Sequence, residues 1–188
     1  MADLPLGPIA DAAERDPEGV ALVDASGERT WSGVVRELRG AAAQMLAAAP
    51  SADQRWGVLG DNAAPTLIAH AAGLMAGVGT VAVSRQLTLP ELTDQIEDST
   101  MVGLVAGPGG ASTAVAALSA GLVSTVVLHS GAVADPAVPG VVRWEDWIAT
   151  APATVDYADR PARPAMVYTS GTTGRARGTQ TRWVLATV

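Results

Sequence analysis

The 188-residue chain has no cysteine, no phenylalanine and no lysine, so all twelve of its basic residues are arginine. Without thiols there is no disulfide, no thiolate zinc site and no cysteine nucleophile, and the redox compartment stays undecided. Without lysine there is no Schiff base, no lysine general base and no lysine phosphate clamp. Aromatic residues are scarce at 4% and charged residues at 16%, yet apolar residues reach 48%. The apolar content is therefore mostly aliphatic, and it argues for a folded core rather than disorder. Alanine alone accounts for 37 residues, an Ala- and Arg-rich bias of the kind a GC-rich coding sequence gives. The net charge of −7 repels phosphate backbones and anionic membrane surfaces, so no nucleic-acid partner is expected. The length fits about one domain.

A long uncharged run, Thr100 to Leu128, could in principle span a bilayer. Gly107-Pro108-Gly109-Gly110 interrupts it and Ser112, Thr113, Ser119, Ser124 and Thr125 dilute it. Strand, glycine turn, short helix and strand is the better reading, so no integral membrane segment is expected. Met1 to Pro17 carries early acids (Asp3, Asp11, Glu14) and no basic n-region before an apolar run. That is no secretory signal, and a cytoplasmic location is expected.

Local patterning then gives the organisation. Val20 to Val23, a turn at Asp24 to Gly27, and Arg29-Thr30-Trp31 read as a hairpin. Trp31, Val34, Val35, Leu38, Ala42, Met45 and Leu46 recur at helical spacing, with Thr30 as the cap and an end before Pro50. Trp56 to Leu59 is a short buried strand. Asp61-Asn62 supplies cap chemistry for a helix with Pro65 in its first turn and an apolar stripe of Leu67, Ile68, Ala71, Leu74 and Met75. That helix ends at Gly77 and Gly79, and Thr80 to Val83 is the next strand. Thr88-Leu89-Pro90-Glu91 is a capping box opening a helix to about Asp98. Further strands are expected at Met101 to Ala106, Ser124 to Leu128 and Ala165 to Tyr168, and helices at Ser112 to Ala120 and Trp144 to Ala149. Ala132 to Val141 and Ala151 to Pro164 read as Pro-containing connectors. From Trp56 onward strands alternate with helices, which means βαβ units in a mostly parallel sheet of an α/β fold.

The richest chemistry lies in Tyr168-Thr169-Ser170-Gly171-Thr172-Thr173-Gly174-Arg175-Ala176-Arg177-Gly178. A strand feeds a loop with three glycines, four aliphatic hydroxyls and two arginines. Glycines admit close backbone approach, successive amides can cradle an anion, and arginine brings a forked permanent charge. The absence of Gly-Lys-Ser/Thr rules out the Walker form. These residues alone leave two readings open, a phosphate loop or a flexible Gly/Thr turn. Other candidates are weaker. Gly107 to Gly110 reads as a plain strand-to-helix turn rather than a dinucleotide loop. His70 and His129 lack partners at metal-ligand spacing and read as structural or surface residues. Glu145-Asp146 reads as a solvated face between two packed tryptophans.

The run from Tyr168 to Gly174 resembles, without a gap, the phosphate-loop signature of the adenylate-forming superfamily: acyl- and aryl-CoA synthetases, luciferases and peptide-synthetase adenylation domains. Gly178 matches its closing glycine. The upstream elements are similar to the family's opening segments, and the resemblance covers about residues 15–182. It implies the N-terminal part of the adenylate-forming fold. Its expected parts are a hairpin and helix over 1–50, βαβ units over 56–150, and a strand and phosphate loop over 164–178. The C-terminal lid is expected to be absent from residues 1–188. The implied activity is that of an AMP-forming acid:CoA ligase of fatty- or aryl-acyl type. It would activate a carboxylic acid with Mg2+ and ATP to an acyl-adenylate, with CoA as acceptor.

By the same resemblance Thr169, Ser170, Thr172 and Thr173 would donate hydroxyls to the ATP phosphates, while Gly171, Gly174 and Gly178 would allow the backbone path. Arg177 stands at the usual lysine, Ala176 at the usual proline, and Trp183 about where many members carry a histidine. The family's acyl pocket and lid lysine lie beyond this point, so the chain alone is expected to be incomplete and inactive, with no catalytic residue and no metal ligand assigned in it. Two alternatives stay open: a non-catalytic remnant or interaction subunit completed by a second chain, and an unrelated small nucleotide-binding protein. A partial doubly wound domain should leave an apolar sheet edge or face uncovered.

Overall fold

The computed structural model describes residues 6–49, 51–132, 138–157, 160–169 and 176–180. In chain order the elements are α1 (Pro8–Arg15), β1 (Val20–Asp24), β2 (Gly27–Thr30), α2 (Trp31–Ala48), β3 (Arg55–Leu59), α3 (Ala64–Met75) and β4 (Thr80–Val83). Then come α4 (Leu89–Ser99), β5 (Met101–Ala106), α5 (Ala111–Ser119), β6 (Thr125–Leu128), β7 (Val141–Arg143), α6 (Trp144–Ala149), β8 (Met166–Thr169) and β9 (Arg177–Gln180). Strands β1 and β2 form a separate antiparallel hairpin. The other seven form one sheet in the order β7-β6-β5-β3-β4-β8-β9. Every neighbouring pair in it is parallel except β8 and β9.

The sheet lies between two helical layers, and alternation along each strand decides which layer a side chain meets. Trp56, Val58, Val105 and Val127 join α1, α2, α3 and α6 in one core. Leu59, Val81, Leu104 and Val126 join α4 and α5 in the other. Trp56 is central to the first core. Its indole donates to the Met45 carbonyl at 3.3 Å and its ring lies 5.2 Å from that of Trp147. Trp147 in turn packs 5.7 Å from Trp144, whose indole donates to Glu37 of α2 at 2.9 Å. Trp56 sits opposite Gly103 on the neighbouring strand, and a Cβ there would lie 2.6 Å from the ring. The glycine is thus the floor on which the indole rests.

Two helices begin as their sequences dictate. Thr30 accepts the Gly33 amide at 3.2 Å to cap α2, and Thr88 with Glu91 forms the capping box of α4. The expected cap of α3 is corrected. Asp61 and Asn62 do not cap it; the carboxylate of Asp24, from the distant hairpin, accepts the Ala64 amide at 2.7 Å. The stripe on α3 is corrected too. Its buried residues are Ala64, Pro65, Ile68, Ala69, Ala72 and Gly73, while Leu67 is 57% exposed. Small residues lie inward because α3 packs on the alanine face of α2, where Ala41, Ala42 and Met45 are fully buried.

Three elements were not expected: α1, β9 and β7, the last starting at Val141 where a connector was read. The tryptophans flanking Glu145 and Asp146 are buried and the two acids exposed, as the sequence suggested.

Candidate phosphate-loop site

Strand β8 carries the candidate loop and β9 receives it, pairing Thr169 with Arg177 and Tyr168 with Gly178. The structure therefore brings Thr169, Arg177 and Gly178 together at the base of a hairpin, and all three are exposed. Ser170, Gly171, Thr172, Thr173 and Gly174 lie outside the described residues, as does Trp183. Gly178 has a packing reason to be glycine. A Cβ there would lie 2.7 Å from the Met166 sulfur and 3.3 Å from the Tyr168 ring. The side chains of β8 occupy the space a larger residue would need.

The hairpin is held by polar groups that the sequence did not single out. The Tyr168 hydroxyl donates to Asp98 Oδ2 of α4 at 2.5 Å, with the Gln95 carbonyl at 3.4 Å. Burial first, and then the Asp98 carboxylate, push the phenol up to about 12. On the outgoing strand Gln180 donates to the Pro164 carbonyl at 3.0 Å and accepts from Arg55 Nη2 at 3.4 Å. Arg55, the first residue of β3, is buried and also donates to the carbonyls of Asp53 and Ser99. Arg163 similarly spends its guanidinium on carbonyls, among them those of Gln54 and Val78. No spacing signal links Asp98 or Arg55 to the loop, because the contacts are made between elements far apart in sequence.

The strand order reverses where the chain crosses from β4 over to β5, on the far side of β3. In open α/β sheets this crevice at the carboxyl ends of the strands is where ligands settle. Here the Asp61 carboxylate fills it, accepting the Gly109 amide at 3.0 Å and Arg85 Nη1 at 2.6 Å. The Gly109 amide, and after it Arg85, hold this carboxyl below its ordinary range. A Cβ on Gly107 would collide with Asp61 Oδ2. The Gly107 to Gly110 run is thus the β5–α5 turn closing over a side chain of the protein itself.

His129 is buried beside this crevice, its ring nitrogens within hydrogen-bonding reach of Thr66 and Ser130 Oγ. His70 Nδ1 lies 2.7 Å from Thr80 Oγ1. Burial lowers the pKa of both imidazoles. Among the described residues no group of three or more His, Asp or Glu side chains is placed to hold a metal ion. No described helix is long and apolar enough to cross a membrane.

A family model for AMP-binding enzymes matches residues 9–182. The chain belongs to this family. The unrelated nucleotide-binding alternative is thereby overturned. Solved structures agree on the fold. A benzoate CoA ligase from Burkholderia xenovorans LB400 aligns with a TM-score of 0.72 and 16% identity, over 96% of this chain and 34% of its own. MbtA from Mycobacterium smegmatis gives 0.71 and 25%, over 96% and 34%. An anthranilate CoA ligase, AuaEII, solved with anthranoyl-AMP, gives 0.69 and 20%, over 92% and 34%. The chain thus spans about a third of the length of these structures and corresponds to the N-terminal portion of the adenylate-forming fold. No curated protein sequence matches it.

Proposed function

We propose that this chain is the N-terminal part of an AMP-forming acid:CoA ligase, and that residues 169–178 bind the β- and γ-phosphates of MgATP. The observation that carries the reading is the hairpin itself. The family match runs through it, and strand pairing sets Thr169 against Arg177 at its exposed base. There a hydroxyl and a forked cation face solvent on an otherwise acidic chain. In the reaction a carboxylate oxygen attacks the α-phosphorus of ATP, the bond to the bridging oxygen breaks, and pyrophosphate leaves. Cationic and hydroxyl donors on the β- and γ-phosphates stabilise that leaving group. Mg2+ comes to the site with ATP as part of the substrate. CoA would then take the acyl group through its thiol, releasing AMP.

Between fatty and aryl acids, the aryl reading has the more support, since two of the solved structures are named as benzoate and anthranilate CoA ligases. Magnesium-dependent ATP binding tests the loop assignment. Ser170→Ala or Thr172→Ala should weaken it about tenfold each, the scale of one hydrogen bond to a charged group. Unchanged affinity in both variants would sink the loop assignment.

The second reading, a non-catalytic remnant or interaction subunit completed by another chain, is favoured by one feature. The sheet face over β8 is open, with Val167 49% exposed. The remaining part of the fold, on the same chain or a second one, would cover it. Acyl-adenylate formation by the purified 188-residue chain alone would refute this second reading.

A further inference from the structure

The chain carries a net charge of −7, and acids reach into three of its clefts. Glu14 lines the one between α1 and α2. Glu28, Glu37 and Glu145 line the one between the β1–β2 hairpin and α6. Glu145 and Asp146 line the one at the ends of β6 and β7. A fourth cleft differs. It lies between α2 and the chain that follows α6, its volume is about 330 Å³, and its charged lining residues are Arg36 and Arg39 alone. A cationic cleft on an acidic chain is a local field that favours an anion.

The shape of this cleft follows from α2. Residues 36, 39, 40 and 43 fall on one face of the helix, at spacings of three and four. Gly40 and Ala43 keep that face low. Ile148 of α6 meets it so closely that a Cβ on Gly40 would lie 2.8 Å from Ile148 Cγ2. Residues 151–155 and the buried Tyr157 complete the lining. Gln44, beside Ala43, donates to the Trp147 carbonyl at 2.6 Å and to Thr150 Oγ1 at 3.3 Å. The two walls are therefore fixed to one another without a ligand, and the floor is apolar, as ligand sites generally are. Both arginines are exposed. Arg36 makes no hydrogen bond or ion pair among the described residues. Its fork gives up no internal partner when it meets a carboxylate.

We propose that this cleft binds a small monocarboxylate with an apolar body, a single ring or a short chain. The carboxylate takes the forks of Arg36 and Arg39, and the body lies on Gly40, Ala43, Ile148 and Val155. The volume is at the lower end for ligand sites, about 300–1,000 Å³, which suits a small acid. The cleft belongs to the α2–α6 layer, whereas Met166 and Tyr168 of the candidate phosphate hairpin pack on the other core. It is a holding site separate from that hairpin, and it does not depend on the phosphate-loop reading.

The probe is benzoate, titrated by NMR into the isotopically labelled chain at low salt, with benzamide and inorganic phosphate as comparisons. Benzoate should saturate with a Kd of about 1 mM or tighter and shift the amides of Gly40, Ile148 and Val155. Arg36→Gln should weaken it about tenfold, the scale of one hydrogen bond to a charged group, and leave the melting temperature unchanged. Arg39→Gln should weaken it similarly. Arg36→Lys keeps the charge but loses the fork, and should fall between Arg36→Gln and wild type. Benzamide, of the same shape without the charge, should bind at least about tenfold more weakly.

Three results would overturn the proposal. One is benzoate shifts that map away from the cleft, or an affinity that Arg36→Gln and Arg39→Gln leave within twofold of wild type. Another is benzamide binding as tightly as benzoate, which would make the cleft a merely apolar one. The third is phosphate binding as tightly as benzoate at the same amides, which would reduce the site to two surface arginines that attract any anion. None of these touches the ligase reading, which MgATP titration of Ser170→Ala and Thr172→Ala tests separately.

Discussion

The centre of the seven-stranded sheet and its β8–β9 edge are built by opposite means. On β5 and β3 the strands are buried on both faces, and every residue of β3 is buried. On β8 burial alternates with exposure, and β9 is almost wholly exposed. The centre is held by apolar contact, which is non-directional and collectively large. The edge is held by pairing with β4, by Met166 and Tyr168 on one face, and by a few hydrogen bonds to side chains and carbonyls, each worth about 1 kcal/mol or a little more. Loops that must open and close on ligands are drawn from the weakly held parts of a fold. The contrast places the candidate phosphate loop where the sheet can yield without the core yielding with it.

The largest expected effect is at the buried centre. Trp56→Ala should cost about 3–5 kcal/mol in chemical or thermal unfolding, the range for aromatic truncation in a core. Gly103→Ala tests the same contact from the other strand, since its Cβ would meet the indole at 2.6 Å. Overpacking of that kind costs about 1–3 kcal/mol. A loss under 0.5 kcal/mol in both variants would erase the contrast between centre and edge.

Next in size is Asp24, which ties the β1–β2 hairpin to α3. Burial alone would raise its carboxyl, but hydrogen bonds from Ser26 and the Ala64 amide, with the charge of Arg29, outweigh it and hold it at about 2. The folded value is below the unfolded one of 3.8. The stabilisation is therefore present above about pH 4 and lost as pH falls toward 2. Asp24→Ala should cost about 1–2 kcal/mol at neutral pH, as a lost helix cap does. It should also flatten the acid limb of the stability curve. Equal acid sensitivity in the variant would show that other carboxylates govern that limb.

These particular residues also show what a sequence can reveal. Elements with strong local signals were legible: the capping box at Thr88, the Thr30 cap, and the apolar strands from Trp56 to Leu128. Helix α3 was found but its inward face was not. In an alanine-rich helix the close-packed side is made of small residues, so the larger Leu67 misleads. Asp61 carries cap chemistry in sequence, yet the fold spends it on Gly109 and Arg85. Strand β7 has three residues and β9 holds an arginine and a glycine, and neither carries a hydrophobic period. At the candidate site the motif itself was readable. Its supports were not, because Asp98 and Arg55 reach β8 and β9 only through tertiary packing.

Smaller effects are expected at the open end. The Tyr168 phenol ionises at about 12 in the folded chain against an ordinary 10.0. Its raised value means that stability tied to the neutral phenol is intact below pH 10. That stability is lost as pH rises through 12. Tyr168→Phe should lessen the alkaline loss of stability between those values, read from melts at pH 9 and pH 11. An unchanged alkaline slope would mean that Tyr168 carries no proton-linked tether.

The smallest effect is the sharpest test of the contrast. Val167 lies on β8 opposite Thr179, on the uncovered face, and is half exposed. Val167→Thr keeps the β-branched shape that strands favour and replaces a methyl that water already reaches. Its effect on the unfolding free energy of this chain should stay within about 0.5 kcal/mol, the range of ordinary surface changes. The same swap at Val81, fully buried one strand away, puts a hydroxyl into the core and should cost about 1–3 kcal/mol. If the two substitutions cost the same, something covers β8 in solution, and the face over the loop is closed rather than open.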